Sequence, residues 1–247
     1  MAKKRRHIVG GGFCQDDFKS RRARRKPAKA LLIVTEGRNT EPSYFEALKS
    51  AWNIHPKVLS ITPGCEGVPG NLVNLAIEEL AALKRKARRK ELAYNELDQF
   101  DEVWIVFDTE HAQRQEKLHE GVEAASTNQF QIAHSTPCFE FWLALHFAPD
   151  APPMDFCDQA IAHLEKVAGL ARGSYSKSSG ASKNFIETLM GEATAAVRHA
   201  SQLEDRQKGE DFPANPSTGM HRLLLSIYEA LPEDMKQKIH LSSPSKD

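Results

Sequence analysis

The chain has 247 residues, 40% hydrophobic and 27% charged, enough for one large domain or two small ones with a substantial core. Its 33 Lys and Arg balance its 33 Asp and Glu, so net charge singles out no class of partner. No stretch approaches the roughly 20 apolar residues of a membrane span, and no apolar run follows the basic N-terminus, which speaks against a signal peptide.

Charge is unevenly placed. Lys3, Lys4, Arg5 and Arg6, then Arg21, Arg22, Arg24, Arg25, Lys26 and Lys29 crowd the N-terminus around Gly10-Gly11-Gly12. Residues 1–28 hold too few apolar side chains for a core and read as a disordered basic arm. Such an arm either tracks nucleic-acid phosphates or stays solvated. Cys14, Cys65, Cys138 and Cys157 lie far apart, with no CxxC pair and no Cys/His spacing of a zinc site. Scattered thiols of this kind suit a reducing cytoplasm.

Order begins at Ala30 to Thr35, a short apolar strand that ends in Glu36 and Gly37. Thr40-Glu41-Pro42 then reads as a helix start, followed by the apolar stripe Tyr44, Phe45 and Leu48. Lys57 to Ile61 is a weaker strand. A Pro- and Gly-rich loop over 63–70 leads to a long helix that Asn71 would cap and that runs into the basic stretch Lys84 to Lys90.

Val103 to Phe107 is the strongest strand signal: five apolar residues in a row, suited to burial on both faces of a parallel sheet. It runs straight into Asp108 and Glu110. Residues two apart on an extended segment share a side, so these two carboxylates leave the strand together. The carboxyl end of a strand is where ligands bind in open α/β sheets. Two acids there repel, share a proton or hold a cation, or else belong to an ordinary polar turn. His111, next in line, reads as an exposed neighbour.

Ala112 to Ser126 is helical, and Gln129 to Ala133 a marginal fourth strand. Alternation of strands and helices predicts parallel crossovers. Ser135 to Phe147 then reads as a helix apolar nearly all round, with Glu140 in its first turn among Phe139, Phe141 and Trp142. A carboxylate in such company is a cap, or it must be paired, protonated or metal-bound. His146 on this helix reads as a packed core histidine.

After Met154 the pattern is helical over 154–168 and 181–204, joined by the basic connector Arg172 to Gly180. That connector, with Lys177, is either a linker or a phosphate-contacting loop, and Lys183 lies just beyond it. Asn215-Pro216-Ser217-Thr218 precedes a helix over Met220 to Ala230, where Ser217 and Thr218 would cap or hold an anion.

Four motifs in order resemble the RloB-like family of bacterial defence proteins. They are Thr35-Glu36-Gly37 with Thr40-Glu41-Pro42-x-Tyr44-Phe45; Phe107-Asp108-x-Glu110; Pro137-Cys138-Phe139-Glu140-x-Trp142; and Asn215-Pro216-Ser217-Thr218. At a coarser level, a strand ending in Glu-Gly followed by a strand ending in Asp-x-acid resembles the TOPRIM domain of topoisomerases, primases and OLD-type nucleases. There the second acid is usually Asp, whereas here it is Glu110.

The resemblance implies an α/β fold with a TOPRIM-like, mostly parallel sheet of about four strands flanked by helices. It would occupy residues 29–150, with a helical C-terminal part over 151–231 packed on it and a flexible tail over 232–247. It implies Mg²⁺- or Mn²⁺-dependent phosphodiester chemistry on DNA or RNA, linked to phage resistance and abortive infection, beside an ATPase partner. Glu36, Asp108 and Glu110 would be catalytic and metal-binding, and Glu140 a further ligand. Lys177, Lys183, Ser217 and Thr218 are candidates for phosphate contacts. The alternatives are a non-catalytic nucleic-acid sensor or adaptor working with that ATPase, and an enzyme acting on a small phosphoester.

Overall fold

The computed structural model describes residues 29–64, 69–89, 100–109, 115–177, 179–239 and 241. The N-terminal arm, Cys14, Cys65, Glu110 and His111 lie outside these residues.

The sheet is built from β1 (Leu31–Thr35), β2 (Leu59–Pro63), β3 (Glu102–Asp108), β4 (Gln131–Thr136) and β5 (Ser217–Thr218), in the order β2-β1-β3-β4-β5. The first four strands run parallel. The fifth is antiparallel to β4, with Ser135 opposite Thr218 and Thr136 opposite Ser217. The expected sheet of about four strands therefore gains a fifth, from residues read as a helix cap.

Side-chain alternation along the strands sorts the core into two layers. Leu32, Val34, Val103, Ile105 and Phe107 pack under α2 (Pro69–Arg88) and α3 (Gln115–Thr127), against Leu72, Val73, Ala76, Leu118 and Ala125. Leu31, Ile33, Trp104, Val106 and Ala133 face the other layer. That layer comprises α1 (Thr40–Ala51), α4 (Phe139–Ala144), α5 (Cys157–Val167), α6 (Ser179–Leu189), α7 (Ala193–Arg206) and α8 (Met220–Glu229). Both faces of the sheet are covered, which is why its central strands read as unbroken apolar runs.

The apolar residues of α5 to α8 join the same cluster as Ile33 and Trp142, so the core crosses the boundary expected at 150. Its centre is Tyr44, whose ring packs edge-on against Phe45, Phe139 and Trp142. The Tyr44 hydroxyl lies 3.1 Å from His146 Nε2. Burial pushes His146 down to about 4, so it stays neutral as a core residue, in line with its reading from sequence.

Several boundaries move. α4 is only six residues long, because Ser135 and Thr136 belong to β4 and Cys138 is extended. Asn71 lies inside α2 rather than capping it. The region from 232, expected to be a flexible tail, carries the helix α9 (Glu233–Ile239), and Leu241 beyond it is buried.

Candidate acidic site at the carboxyl edge of the sheet

The strand register places the first two acids. Thr35 pairs with Val106, so β3 outlasts β1 and Asp108 sits just past the end of its neighbour. The Glu36 N–H bonds the Val106 carbonyl at 2.9 Å, and the Glu36 carboxylate turns back to accept the Asp108 N–H at 3.0 Å. Glu36 and Asp108, 72 residues apart in sequence, are thus joined at one rim.

Glu41, in the first turn of α1, completes a carboxylate group that the sequence reading missed. It is buried, and its Oε1 accepts the Gly37 N–H at 3.1 Å. The absence of a side chain at Gly37 lets Glu41 come this close: a Cβ would stand 2.1 Å from the Glu41 Oε2, and the carboxylate would have to move. An acid in a first helical turn is ordinarily explained by the helix dipole alone, which hides its second role. The available signals were its place in the motif Thr40-Glu41-Pro42 and its position five residues after Glu36, with a glycine between.

Glu140 approaches from α4 and is 1% exposed. Lys177 Nζ pairs with its Oε2 at 3.0 Å, and the Tyr175 hydroxyl donates to its Oε1 at 3.2 Å. The loop carrying Tyr175 and Lys177 is itself anchored, because the Glu165 carboxylate accepts the Gly173 and Tyr175 N–H groups, each at 2.8 Å.

These groups feel one another. Burial raises the Asp108 carboxyl well above the ordinary range, and the charges of Glu41, Glu140 and Glu36 raise it further while Lys177 opposes them. Glu41 is raised too, by burial first and then by Glu140 against the bonds it accepts. Burial alone would lower Lys177, but the charge and bond of Glu140, with Asp108 and Glu41, carry it above its usual value. Among the described residues, Lys177 is the cation whose charge acts on Asp108 and Glu41, and it does not offset their mutual repulsion.

Oxygen donors of this kind suit Mg²⁺ or Mn²⁺. The set is loose, however. Among the described residues, the donors that close to within 4.8 Å of one another as a trio are Cys138, Glu140 and Cys157, not three carboxylates. A carboxylate set of this spread fits an ion that keeps several of its waters, as Mg²⁺ does.

The other expected site residues divide. Lys177 is in the group, whereas Lys183 is exposed on α6. Ser217 and Thr218 are buried, and their hydroxyls are spent inside the fold. Ser217 Oγ lies 2.6 Å from the Ala214 carbonyl and 3.2 Å from both Thr136 Oγ1 and His134 Nε2. Thr218 Oγ1 donates to the His134 carbonyl at 3.1 Å and lies 3.2 Å from Ser135 Oγ. Both hydroxyls thus have partners inside the fold.

The cysteines bring a correction. Cys138 and Cys157 are not scattered thiols but a disulfide between the start of α4 and the start of α5. Cys157 Sγ lies 3.2 Å from Glu140 Oε2 and 3.2 Å from Lys177 Nζ. A cavity of about 410 Å³ does exist elsewhere, lined by Trp104, Phe130, His134, Phe212 and Arg222 among others, but none of the acids lines it.

Fold and site together define an α/β protein with a mostly parallel sheet and a charge-crowded acidic rim. The sequence profile of RloB-like proteins matches residues 31–227, which spans both the sheet and the C-terminal helices. The chain belongs to the RloB-like family. No curated protein and no solved structure matches it. No helix among the described residues is long and apolar enough to cross a membrane.

Proposed function

We propose that this RloB-like protein is a Mg²⁺- or Mn²⁺-dependent nuclease that hydrolyses phosphodiester bonds in DNA or RNA. The observation that carries the reading is the convergence of Glu36 and Asp108 at one rim of the sheet, joined by a 3.0 Å bond, with buried Glu41 and Glu140 close enough to raise the Asp108 carboxyl. Carboxylates that crowd together beside a sheet's carboxyl edge make a place that favours positive charge.

The residues take distinct parts. Asp108 and Glu36 hold the divalent ion, with Glu110 following in sequence and Glu41 behind them. When bound, the ion polarises a phosphoryl oxygen and lowers the pKa of a bound water. The Asp108 N–H orients the Glu36 carboxylate, which would either share the ion or act as the general base on the attacking water. Lys177, half exposed and steered by Glu140, offsets charge on the scissile phosphate. Glu140, expected as a ligand for a second ion, instead serves as the Lys177 anchor in this scheme.

Phage defence, an abortive outcome and an ATPase partner follow from the family resemblance. The basic N-terminal arm supplies non-specific attraction for nucleic acid.

One observation favours a second reading, a non-catalytic nucleic-acid sensor or adaptor: no three carboxylates among the described residues close tightly on one point. Incubation of the purified chain with DNA and with RNA, in Mg²⁺, Mn²⁺ or EDTA, separates the two. Cleavage that needs metal and disappears in Glu36→Ala and Asp108→Ala supports the nuclease. Binding that survives EDTA and both substitutions, without cleavage, supports the adaptor.

A further inference from the structure

We infer that Cys138, Cys157 and Glu140 form a site for a thiophilic divalent cation of the zinc class, available when the disulfide between the two cysteines is reduced. The inference does not depend on the nuclease reading, and its test does not use activity.

Three observations carry it. The first is proximity: two sulfurs and one carboxylate oxygen lie within 4.8 Å of one another, all on buried residues. Ligands around a tetrahedral zinc sit about 2.0 to 2.3 Å from the ion. Cys138 immediately precedes α4, Glu140 is in its first turn, and Cys157 opens α5, so two packed helices already hold all three donors. Closing the trio around an ion needs only that the sulfurs part and their side chains turn.

The second is the company the sulfurs keep. A bond that merely ties α4 to α5 has no use for polar neighbours. Here a carboxylate oxygen and a lysine ammonium each stand 3.2 Å from Cys157 Sγ. Both are common company for a metal thiolate, the carboxylate as a ligand and the ammonium as a donor to sulfur.

The third is charge. Glu140 is almost wholly buried, so each stable state of this spot must be close to neutral. With the disulfide closed, Glu140 and Lys177 cancel. With two thiolates, Glu140, a divalent ion and Lys177, three negative charges again meet three positive ones. An ion-free dithiolate would leave two charges uncompensated, so the open, empty form keeps its protons. The neutral states are the closed disulfide, the protonated dithiol and the metal-loaded dithiolate, so the ion can replace the two thiol protons without unbalancing the spot.

The chemistry balances. A dithiol reductant gives two electrons and two protons to the disulfide, yielding two thiols and its own cyclic disulfide. On metal binding the two thiols release their protons to solvent, two sulfur–metal bonds form, and Glu140 supplies the third ligand. A fourth position is left to water. Thiolate donors select zinc-class ions over Mg²⁺ or Ca²⁺, which keeps this site chemically distinct from the carboxylates of β1 and β3.

The test uses the full chain carrying Cys14→Ser and Cys65→Ser, so that the pair supplies every thiol. The oxidised protein and the same protein reduced with a phosphine are each titrated with Co²⁺ and followed by the thiolate-to-cobalt charge-transfer band. The inference expects one Co²⁺ per reduced chain, displaced by Zn²⁺, and no band from the oxidised chain. Glu140→Gln should weaken Co²⁺ binding at least tenfold while keeping the band, and Cys138→Ser should abolish it. Far-ultraviolet circular dichroism accompanies every sample. A reduced, folded chain without the band overturns the inference, as does equal binding by the oxidised chain. So does a reduced chain that unfolds and is not restored by Zn²⁺, because a site of this kind stabilises the fold that forms it.

Discussion

Two polar clusters flank the sheet, and they have opposite characters. At the β4–β5 junction, Ser135, Thr136, Ser217 and Thr218 bond to one another and to nearby carbonyls. At the end of β1 and β3, Glu36, Glu41, Asp108 and Glu140 crowd together with Lys177 as the cation whose charge reaches them. The hydroxyls complete one another and hold a two-residue strand in place. The carboxylates oppose one another, and the structure pays for holding them. Polar groups that complete one another's bonding hold the fold together, whereas crowded carboxylates work against it unless positive charge offsets them.

The contrast can be broken by substitution, and the largest effect should come from the acidic side. Asp108→Asn removes one repelling charge while keeping shape. The metal-free protein should then melt higher than wild type at neutral pH, and any Mg²⁺-induced rise in Tm should vanish, as read by differential scanning calorimetry. A lower Tm without metal would mean that Asp108 is stabilising and that the crowding is an illusion.

On the hydroxyl side, Ser217→Ala leaves the Ala214 carbonyl, Thr136 and His134 short of a partner, which should cost about 1–3 kcal/mol in urea unfolding. Metal response per folded molecule should not change. A lost metal response with intact stability would place Ser217 in the site after all.

Gly37→Ala sharpens the boundary between the two. Its Cβ would collide with the Glu41 carboxylate, which is the movable end of a side chain rather than backbone. We expect a small loss of stability, about 1 kcal/mol or less, with a clear loss of metal-induced stabilisation, because Glu41 must leave the Gly37 N–H.

The smallest effect concerns pH. Burial depresses His146 to about 4, so the unfolded chain binds its proton first. This contribution to stability is complete above the ordinary histidine value of 6.5 and is lost as pH falls toward about 4. The raised Asp108 and Glu41 act in the opposite sense. They favour the fold at low pH, and that support fades as pH rises through their elevated values. His146→Gln should flatten the acid limb of the stability curve, and Asp108→Asn the neutral one, in melts across that range.

How much of this was legible follows from what each signal needs. β1 and β3 were readable because residues covered on both faces must be apolar without interruption, as Leu31 to Val34 and Val103 to Phe107 are. Glu36 and Asp108 could be placed at one rim because each follows such a strand. β5 could not be read: Ser217 and Thr218 owe their strand geometry to partners on β4 more than 80 residues away. The Cys138–Cys157 pairing was equally hidden, since 19 residues of separation match no spacing rule and only the packing of α4 on α5 unites them. Glu41 was visible but already explained by its place at a helix start. Glu140 was recognised as an acid needing a partner, yet that partner, Lys177, sits on a loop whose course Glu165 sets.

The central claim is that the carboxylates beside β1 and β3 take up a hard divalent cation. Anomalous diffraction from a crystal soaked in Mn²⁺ tests it most directly. The account predicts a peak between Asp108 and Glu36, reached directly or through ordered water. Clear density for both side chains with no peak there, or Mn²⁺ held only at a distant surface, would contradict it.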